Sequence, residues 1–470
     1  MRRAVAAMGL ASQILLATPA GAYGLAVTNV SATIDNQSEA AIAVDPNDPA
    51  NIVVVSNTSE PGLFMGVSHD GGTTWARRVF AHGPTFGTAC CDPTICWDDQ
   101  GNLFLAWLDE SDVGALPVAL STDAGDSWTL LADLHPPSPT RRLVTTPRAA
   151  GQQEEEDEGH GGFIDQPTVV AGEGMVWLVW NNGAIQAAGA RVFGPGDVGA
   201  FHRAQDAPRT RGCSFGDIAI GPLGQVMQVC SRDRYRDHRY LRTVIRTNVD
   251  PDGLGPAGFG RSFVASATNV RQFEPIRPQR QRTVDTEAGL AWDRSGGLLA
   301  GRLYLVYTGE FPNGSDRTDI WVRVSDDDGD TWSAPVRAND DPMIRRSQFL
   351  PRIAIDQVSG MVAVGFHDAR LDDGLGGLGD TDGLINDDAM YYLTFSADGG
   401  ATFGTNIQVA EGASNAEAAR NGVDYGDYTG LAFVAGVAYP VWADNSNSTG
   451  DNPNGTLSRF DVYTAPVPSG

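Results

Sequence analysis

Fourteen of the chain's 33 basic residues fall between Arg203 and Arg282, and every basic residue in the protein is arginine. Guanidinium grips carboxylate or sulfate through two parallel hydrogen bonds, so a basic sector on an acidic chain implies an anionic ligand. Arg232, Arg234, Arg236 and Arg239 come with Tyr235 and Tyr240, whose rings can stack on a sugar; Arg271, Arg277, Arg280 and Arg282 follow. Pairing with neighbouring acids such as Asp233 and Asp237 is the alternative use of these charges. A second set stands beside short apolar runs: Glu39, Asp92, Asp165, Asp217, Glu287, Arg352, Asp427 and Tyr428 ahead of one strand. Asn57, Asp109, Asn181, Arg232, Glu310, His367, Asp368, Arg370 and Asp444 follow the return strand. If those strands share one axis, these residues converge on one pocket, unless they only cap turns and meet water.

Two acidic runs offer oxygen ligands. Asp372, Asp373, Asp380, Asp382, Asn386, Asp387 and Asp388 lie in a glycine-rich stretch. Asp380, Asp382 and Asp387 are the first candidates to hold Ca²⁺, against a purely solvated loop. The stretch is not an EF-hand, because Leu378 occupies the first ligand position, and no cofactor is required by any other motif. The run 154–158 followed by His160 reads as a solvated loop. Of five cysteines, Cys213 and Cys230 end a predicted hairpin where cross-strand neighbours meet disulfide geometry. Cys90, Cys91 and Cys96 permit one further bond.

The elements that must position these residues repeat. Ser-x-Asp-x-Gly-x-(Ser/Thr)-(Trp/Phe) occurs four times: Ser68-Asp70-Gly72-Trp75, Ser121-Asp123-Gly125-Trp128, Ser325-Asp327-Gly329-Trp332 and Ser396-Asp398-Gly400-Phe403. In each, Ser and Asp can bond turn amides, Gly accepts a positive φ, and the aromatic plugs a gap between sheets. Between them, seven pairs of apolar strands can be read, starting at Ala41, Pro93, Pro167, Ile218, Gly289, Arg352 and Gly430. The expected fold is all-β: one β-propeller over 23–470 with seven four-stranded blades, or six if one hairpin is an insertion. The 204 residues between Ser121 and Ser325 leave room for two blades without the turn. Asn248-Val249-Asp250-Pro251-Asp252-Gly253 reads as a decayed copy. Leu25 to Val30 is expected to complete the last blade and close the ring by pairing the two ends. Pro440, in the last return strand, is a misfit because proline lacks a ladder donor.

In such a fold the repeated turns and the first-to-second turns share one face, and the long connections share the other. Function is therefore expected on the long-loop face. Residues 1–22 read as a secretory signal, with Arg2 and Arg3 ahead of a weakly apolar run and Ala20-Gly21-Ala22 for cleavage. A secreted or periplasmic monomer without a transmembrane segment follows as the expectation. The formal charge of −25 disfavours a nucleic-acid partner, since phosphate binding needs positive charge.

The four turns resemble the Asp-box (BNR repeat) of sialidase-like β-propellers. The stretch from Gly301-Arg302-Leu303-Tyr304 through Phe366-His367-Asp368-Ala369-Arg370 to Gly426-Asp427-Tyr428-Thr429-Gly430-Leu431 is similar to bacterial secreted members. The resemblance implies an anionic glycan or cell-surface glycoconjugate as partner. For an exo-α-sialidase it further implies an arginine triad, a tyrosine nucleophile and an aspartate acid. Carried over, Arg352, Arg232 and Arg277 would hold the substrate carboxylate, Tyr428 would attack, and Asp368 or Asp92 would supply the proton. Arg234, Tyr235, His367, Arg370 and Asp427 would line the ligand. The family's Phe/Tyr-Arg-Ile-Pro motif has its nearest match at Pro351-Arg352-Ile353-Ala354, in the sixth unit and without the aromatic and the proline. A non-catalytic propeller that binds glycan or protein on the same face is the alternative.

Overall fold

The computed structural model describes residues 25–112, 114–135, 164–310, 317–342, 346–419 and 421–470. The expected leader, 1–22, and the acidic run 154–158 with His160 lie outside them. Seven sheets are arranged as blades of a propeller. The innermost strands are, in order, Ser38–Val44, Gly87–Trp97, Asp165–Gly172, Ser214–Ile220, Gly289–Trp292, Gln348–Ile355 and Gly430–Val434. Each pairs antiparallel with the next strand in sequence, as a meander of short apolar runs must. The second strands, such as Ile52–Asn57, Leu103–Asp109 and Met175–Asn181, are continuous apolar runs and almost wholly buried, because a blade on each side covers both their faces. Tryptophans fill the widening space between blades; Trp107, Trp177, Trp180 and Trp442 are fully buried.

The ring closes through its two ends. Thr28–Asn29 is the outer strand of blade 7, with Thr28 opposite Thr464 and Asn29 opposite Tyr463. The Val30 amide extends the ladder to the Val462 carbonyl at 2.7 Å. Asp461 locks this joint, accepting from the Asn29 side chain at 2.7 Å and the Ser31 hydroxyl at 3.1 Å. Pro440 is accommodated because its outer side falls between two partners: Asp461–Thr464 pairs with 441–444 and Val467–Pro468 with 437–438. No ladder donor is needed there.

The four repeated turns join third and fourth strands of blades 1, 2, 5 and 6, leaving blades 3, 4 and 7 without one. All share one hydrogen-bond set: the Ser hydroxyl donates to the Asp carboxylate at 2.8–2.9 Å and accepts the Gly amide at 2.8–2.9 Å. The glycines have φ of 82–91°, where a Cβ would be strained. In blade 4 the same turn carries Asp250 and Asp252, with the Asp252 amide on Asp250 at 3.3 Å. Cys213 and Cys230 are bonded, as are Cys90 and Cys91, which leaves Cys96 free. No helix among the described residues is long and apolar enough to cross a membrane.

Candidate functional site

The innermost strands enclose a central channel with a cavity of about 220 Å³, its wall including Gln166, Asp217, Glu287, Arg352 and Tyr428. Its mouth on the long-loop face is shaped by a recurring irregularity. Inner strands of blades 1, 2, 3, 4 and 6 are bulged at their starts. Glu39, Asp92, Gln166 and Leu350 at these bulges, and Glu287 ahead of blade 5, have φ between 42° and 54°. Non-glycine residues rarely sit in this left-handed region, and bulges of this kind re-aim side chains beside functional sites.

Several of the re-aimed side chains tie one blade to the next. The Gln166 amide donates to Asp92 at 3.1 Å, the Leu290 amide to Asp217 at 2.7 Å, and the Asp427 amide to Glu39 at 3.2 Å. Arg352 Nε donates to the Thr429 carbonyl at 2.7 Å. Asn57 joins blades 1 and 2, donating to Glu39 and accepting the Asp92 amide. The Cys90–Cys91 bridge immediately precedes Asp92 and stiffens the entry to that bulge.

Charge is unevenly balanced at the mouth. Carboxyl groups arrive from blade 1 (Glu39), blade 2 (Asp92), blade 3 (Asp165) and the approach to blade 7 (Asp427). Arg282 alone among the described arginines is recorded in an ion pair with this group, on Asp427 and Glu39. It comes from an inserted hairpin, Glu274–Ile276 and Gln279–Val284, between blades 4 and 5. Apolar packing of Ile276 and Val284 with Phe349, Leu350, Tyr425 and Phe460 seats this hairpin over blades 6 and 7. Amides of Gln281 and Arg282 donate to Asp424 at 2.8 and 3.0 Å. Burial, then repulsion from Glu39, Asp165 and Asp427, holds the Asp92 carboxyl well above the usual range. Burial and Glu39 push Asp427 up to about 7 against the opposing pull of Arg282. Glu287 is raised by burial and by Asp285, with Arg352 opposing.

Arg352 and Tyr428 meet in the channel wall, the guanidinium carbon 5.4 Å from the ring centre. The Tyr428 hydroxyl is buried without a hydrogen-bond partner, and burial with Asp92 and Glu39 nearby keeps the phenol protonated. Arg232, Arg277 and Arg352 face three different neighbourhoods. Arg232 and Arg234 belong to the middle hairpin of blade 4, beside Arg209 and Arg246, where burial and then Arg234, Arg232 and Arg209 lower the Arg246 pKa. Arg277 donates to the Ile385 carbonyl at 2.9 Å. Strands of that middle hairpin, Val226–Arg236 and Arg239–Asp250, have 11 and 12 residues against six to eight for second strands elsewhere. The hairpin thus projects by about four residues, ~13 Å. Tyr235 near its tip is exposed, donates to Asp233 at 3.0 Å and packs edge-on against Tyr240.

Three residues of the sixth blade lie away from the mouth. Asp368 and Arg370 pair with each other, and Arg370 also reaches Asp340 at 2.6 Å and covers the Tyr392 ring. Burial raises Asp368 to about 6, with Arg370 opposing. His367 packs between Phe349, Tyr391 and Tyr425, and burial lowers it to about 3. The acidic stretch regroups the expected ligands: Asp380 and Asp382 gather with Asp388, while Asp387 gathers with Asp372 and Asp388. Sequence reasoning counted Arg282 in the basic sector for an anionic ligand without bringing it to the mouth, and passed over Gln166. The available signal for Arg282 was only its place in an over-long connection between blades.

No family model and no curated protein matches this chain. Among solved structures it is similar to the BP39L lectin from Burkholderia pseudomallei, with TM-score 0.51, 10% identity, and 93% of this chain and 97% of the lectin covered. The GH93 alpha-L-arabinofuranosidase of Fusarium graminearum, in complex with arabinobiose, matches with TM-score 0.43, 10% identity, and coverage of 92% and 93%. The phage phi92 endosialidase matches with TM-score 0.45, 9% identity, and coverage of 94% and 69%. At these identities the likeness is one of fold, and the fold is a seven-bladed β-propeller.

Proposed function

We propose that this protein is an exported, glycan-acting β-propeller that takes the terminal residue of a glycan at the carboxyl-lined mouth and hydrolyses its glycosidic bond. The observation that carries the reading is the meeting of Asp92 and Glu39 at the mouth: two buried carboxyls from neighbouring blades, joined through Asn57, with burial and then the charges of Glu39, Asp165 and Asp427 raising Asp92 above the usual carboxylate range. Glycoside hydrolysis needs such a division, an acid for the leaving oxygen and a second carboxylate for the sugar face. Asp92 is the proton donor, Glu39 the second carboxylate, and Arg282 the cation that holds Glu39 and Asp427 in place. The channel cavity of about 220 Å³ is lined by Glu287 and Arg352 and by Gln166 and Tyr428, which follow Asp165 and Asp427 in the chain, and not by the mouth carboxyls themselves. Its volume lies below the ~300 Å³ at which drug-sized pockets begin, which suits one terminal residue. Excess negative charge at the mouth favours a neutral terminal sugar. An anionic portion of the glycan would lie on the arginines of the projecting blade 4 hairpin. Two disulfides and the reading of residues 1–22 go together with export.

A binding-only reading has its own support, because Asp92, Glu39 and Asp217 all accept backbone amides across blade junctions and so have structural work. A panel of fluorogenic glycosides, covering neutral sugars, uronides and sialosides, separates the two when run beside a glycan array. Release by the wild type that falls at least 100-fold in Asp92→Asn, with the fold retained, supports hydrolysis at the mouth. Array binding without release supports the binding reading. Release of sialosides dependent on Tyr428 and Arg352 but indifferent to Asp92 would replace this assignment with the sialidase one. Absence of both release and binding would overturn the glycan reading.

A further inference from the structure

The connection between the second and third strands of blade 6 runs from Ala369 to the start of Asp388–Ser396 and carries five clustered aspartates. Asp372, Asp387 and Asp388 each present a carboxylate oxygen, all three within 4.8 Å of one another. That spacing is what one cation imposes, since ligands about 2.4 Å from a common centre can be at most about 4.8 Å apart. No arginine is recorded in an ion pair with any of the three among the described residues.

Asp387 supplies the independent observation. It is 9% exposed, and its Oδ1 is buried with no hydrogen-bond partner. Burying a carboxylate oxygen without donor or counter-charge costs several kcal/mol, and neighbouring carboxylates only add to it. Asp372 and Asp388 are fixed beside it by backbone: the amides of Asp387 and Asp388 donate to Asp372 Oδ2 at 2.6 and 3.0 Å, and the Thr381 hydroxyl donates to Asp388 at 2.9 Å. A cation would complete both remaining needs, charge and coordination.

We infer that Asp372, Asp387 and Asp388 bind one Ca²⁺ ion that pins this connection to the rim of the long-loop face. The donors are all oxygen, which excludes the softer N/S-preferring metals as the natural occupant. A glycine-rich loop with room for waters and carbonyls suits the six to eight ligands of Ca²⁺ better than the strict octahedron of Mg²⁺. Asp380 and Asp382 gather with Asp388 as a second group and are outer neighbours of this ion, not its ligands. The pinned segment is the one that Arg277 of the inserted hairpin reaches at Ile385, so the ion and the hairpin order the same edge.

The test is calorimetric titration of CaCl2 into the EDTA-stripped full chain in 150 mM NaCl, beside thermal melts with and without the ion. One Ca²⁺ per chain is expected, with a Kd of roughly 10⁻⁵ to 10⁻³ M, and a melting temperature that rises with Ca²⁺. Asp387→Asn and Asp372→Asn should each weaken binding at least tenfold and abolish the Ca²⁺-dependent rise, while Asp382→Asn keeps both. Near-UV circular dichroism establishes that each variant is folded. Neither heat nor a melting shift at 10 mM Ca²⁺, equal responses to Mg²⁺ and Ca²⁺, or wild-type binding by folded Asp387→Asn would each overturn the assignment.

Discussion

Replacing Arg282 with alanine should free the inserted hairpin, and should do so more at high pH than at low. Arg282 pairs with Asp427 and Glu39, which are 8% and 2% exposed, while its own side chain is 36% exposed. Breaking a buried pair by removing one partner costs about 3–5 kcal/mol; the exposure of the guanidinium and its screening reduce this to about 2–3 kcal/mol. At 1.36 kcal/mol per tenfold change, the hairpin amides would open roughly 30- to 150-fold more often. The pH dependence follows from Asp427, whose folded pKa of about 7 stands above its ordinary 3.8. A raised carboxyl binds its proton more tightly in the folded protein, so its contribution to stability is complete below about pH 4 and is lost as pH rises through 7. Arg282 opposes that loss by stabilising the ionised form, so the variant suffers where Asp427 must ionise. The assay is hydrogen exchange at Gln281 and Arg282 or its replacement, whose amides bond Asp424, as variant-to-wild-type ratios at pH 5 and pH 8. A ratio near 30–150 at pH 8 and within about fivefold of unity at pH 5 is expected. Equal ratios at both pH values, or no acceleration within 274–284, would refute the latch.

Ser121→Ala removes a hydroxyl that both donates to Asp123 and accepts the Gly125 amide, and should cost about 1–2 kcal/mol in urea denaturation. Gly125→Ala should cost more, since φ is 91° and the new Cβ would lie 2.8 Å from Val53 Cγ2 of the neighbouring blade. Removing residues 25–31 deletes the outer strand of blade 7 and the fully buried Val30; a melting temperature equal to wild type would show that ring closure does not depend on this joint. His367, lowered to about 3 by burial, should show no imidazole titration by NMR between pH 4 and 8. Because the unfolded chain takes up that proton near pH 6.5, His367 subtracts stability progressively as pH falls from there toward 3. A His367→Phe variant should therefore flatten the acid limb of the stability profile.

The blade count, the positions of the inner and return strands, the Cys213–Cys230 bond and the pairing of the two ends could all be read from the chain before folding. Each rests on contacts between residues near in sequence or on a repeat that must close. A Ser bonds an Asp two positions on and a Gly four positions on, so the turn is written in eight residues. Arg370 and Asp368, adjacent in that sense, also pair with each other, and for that reason are spoken for. His367 shows the limit: its neighbours Phe349, Tyr391 and Tyr425 come from other segments, and only packing revealed it as core. The mouth was beyond reach for the same cause. Glu39, Asp92, Asp165, Arg282 and Asp427 meet only because seven blades close on one axis and a hairpin from between blades 4 and 5 settles over blades 6 and 7. Their charges alter one another across as many as 388 residues of chain, and Coulomb energy depends on distance in space, which residue spacing does not record. Turn chemistry and blade period are thus properties of the sequence, while the acid pair, its single cation and the state of its protons are properties of the closed ring.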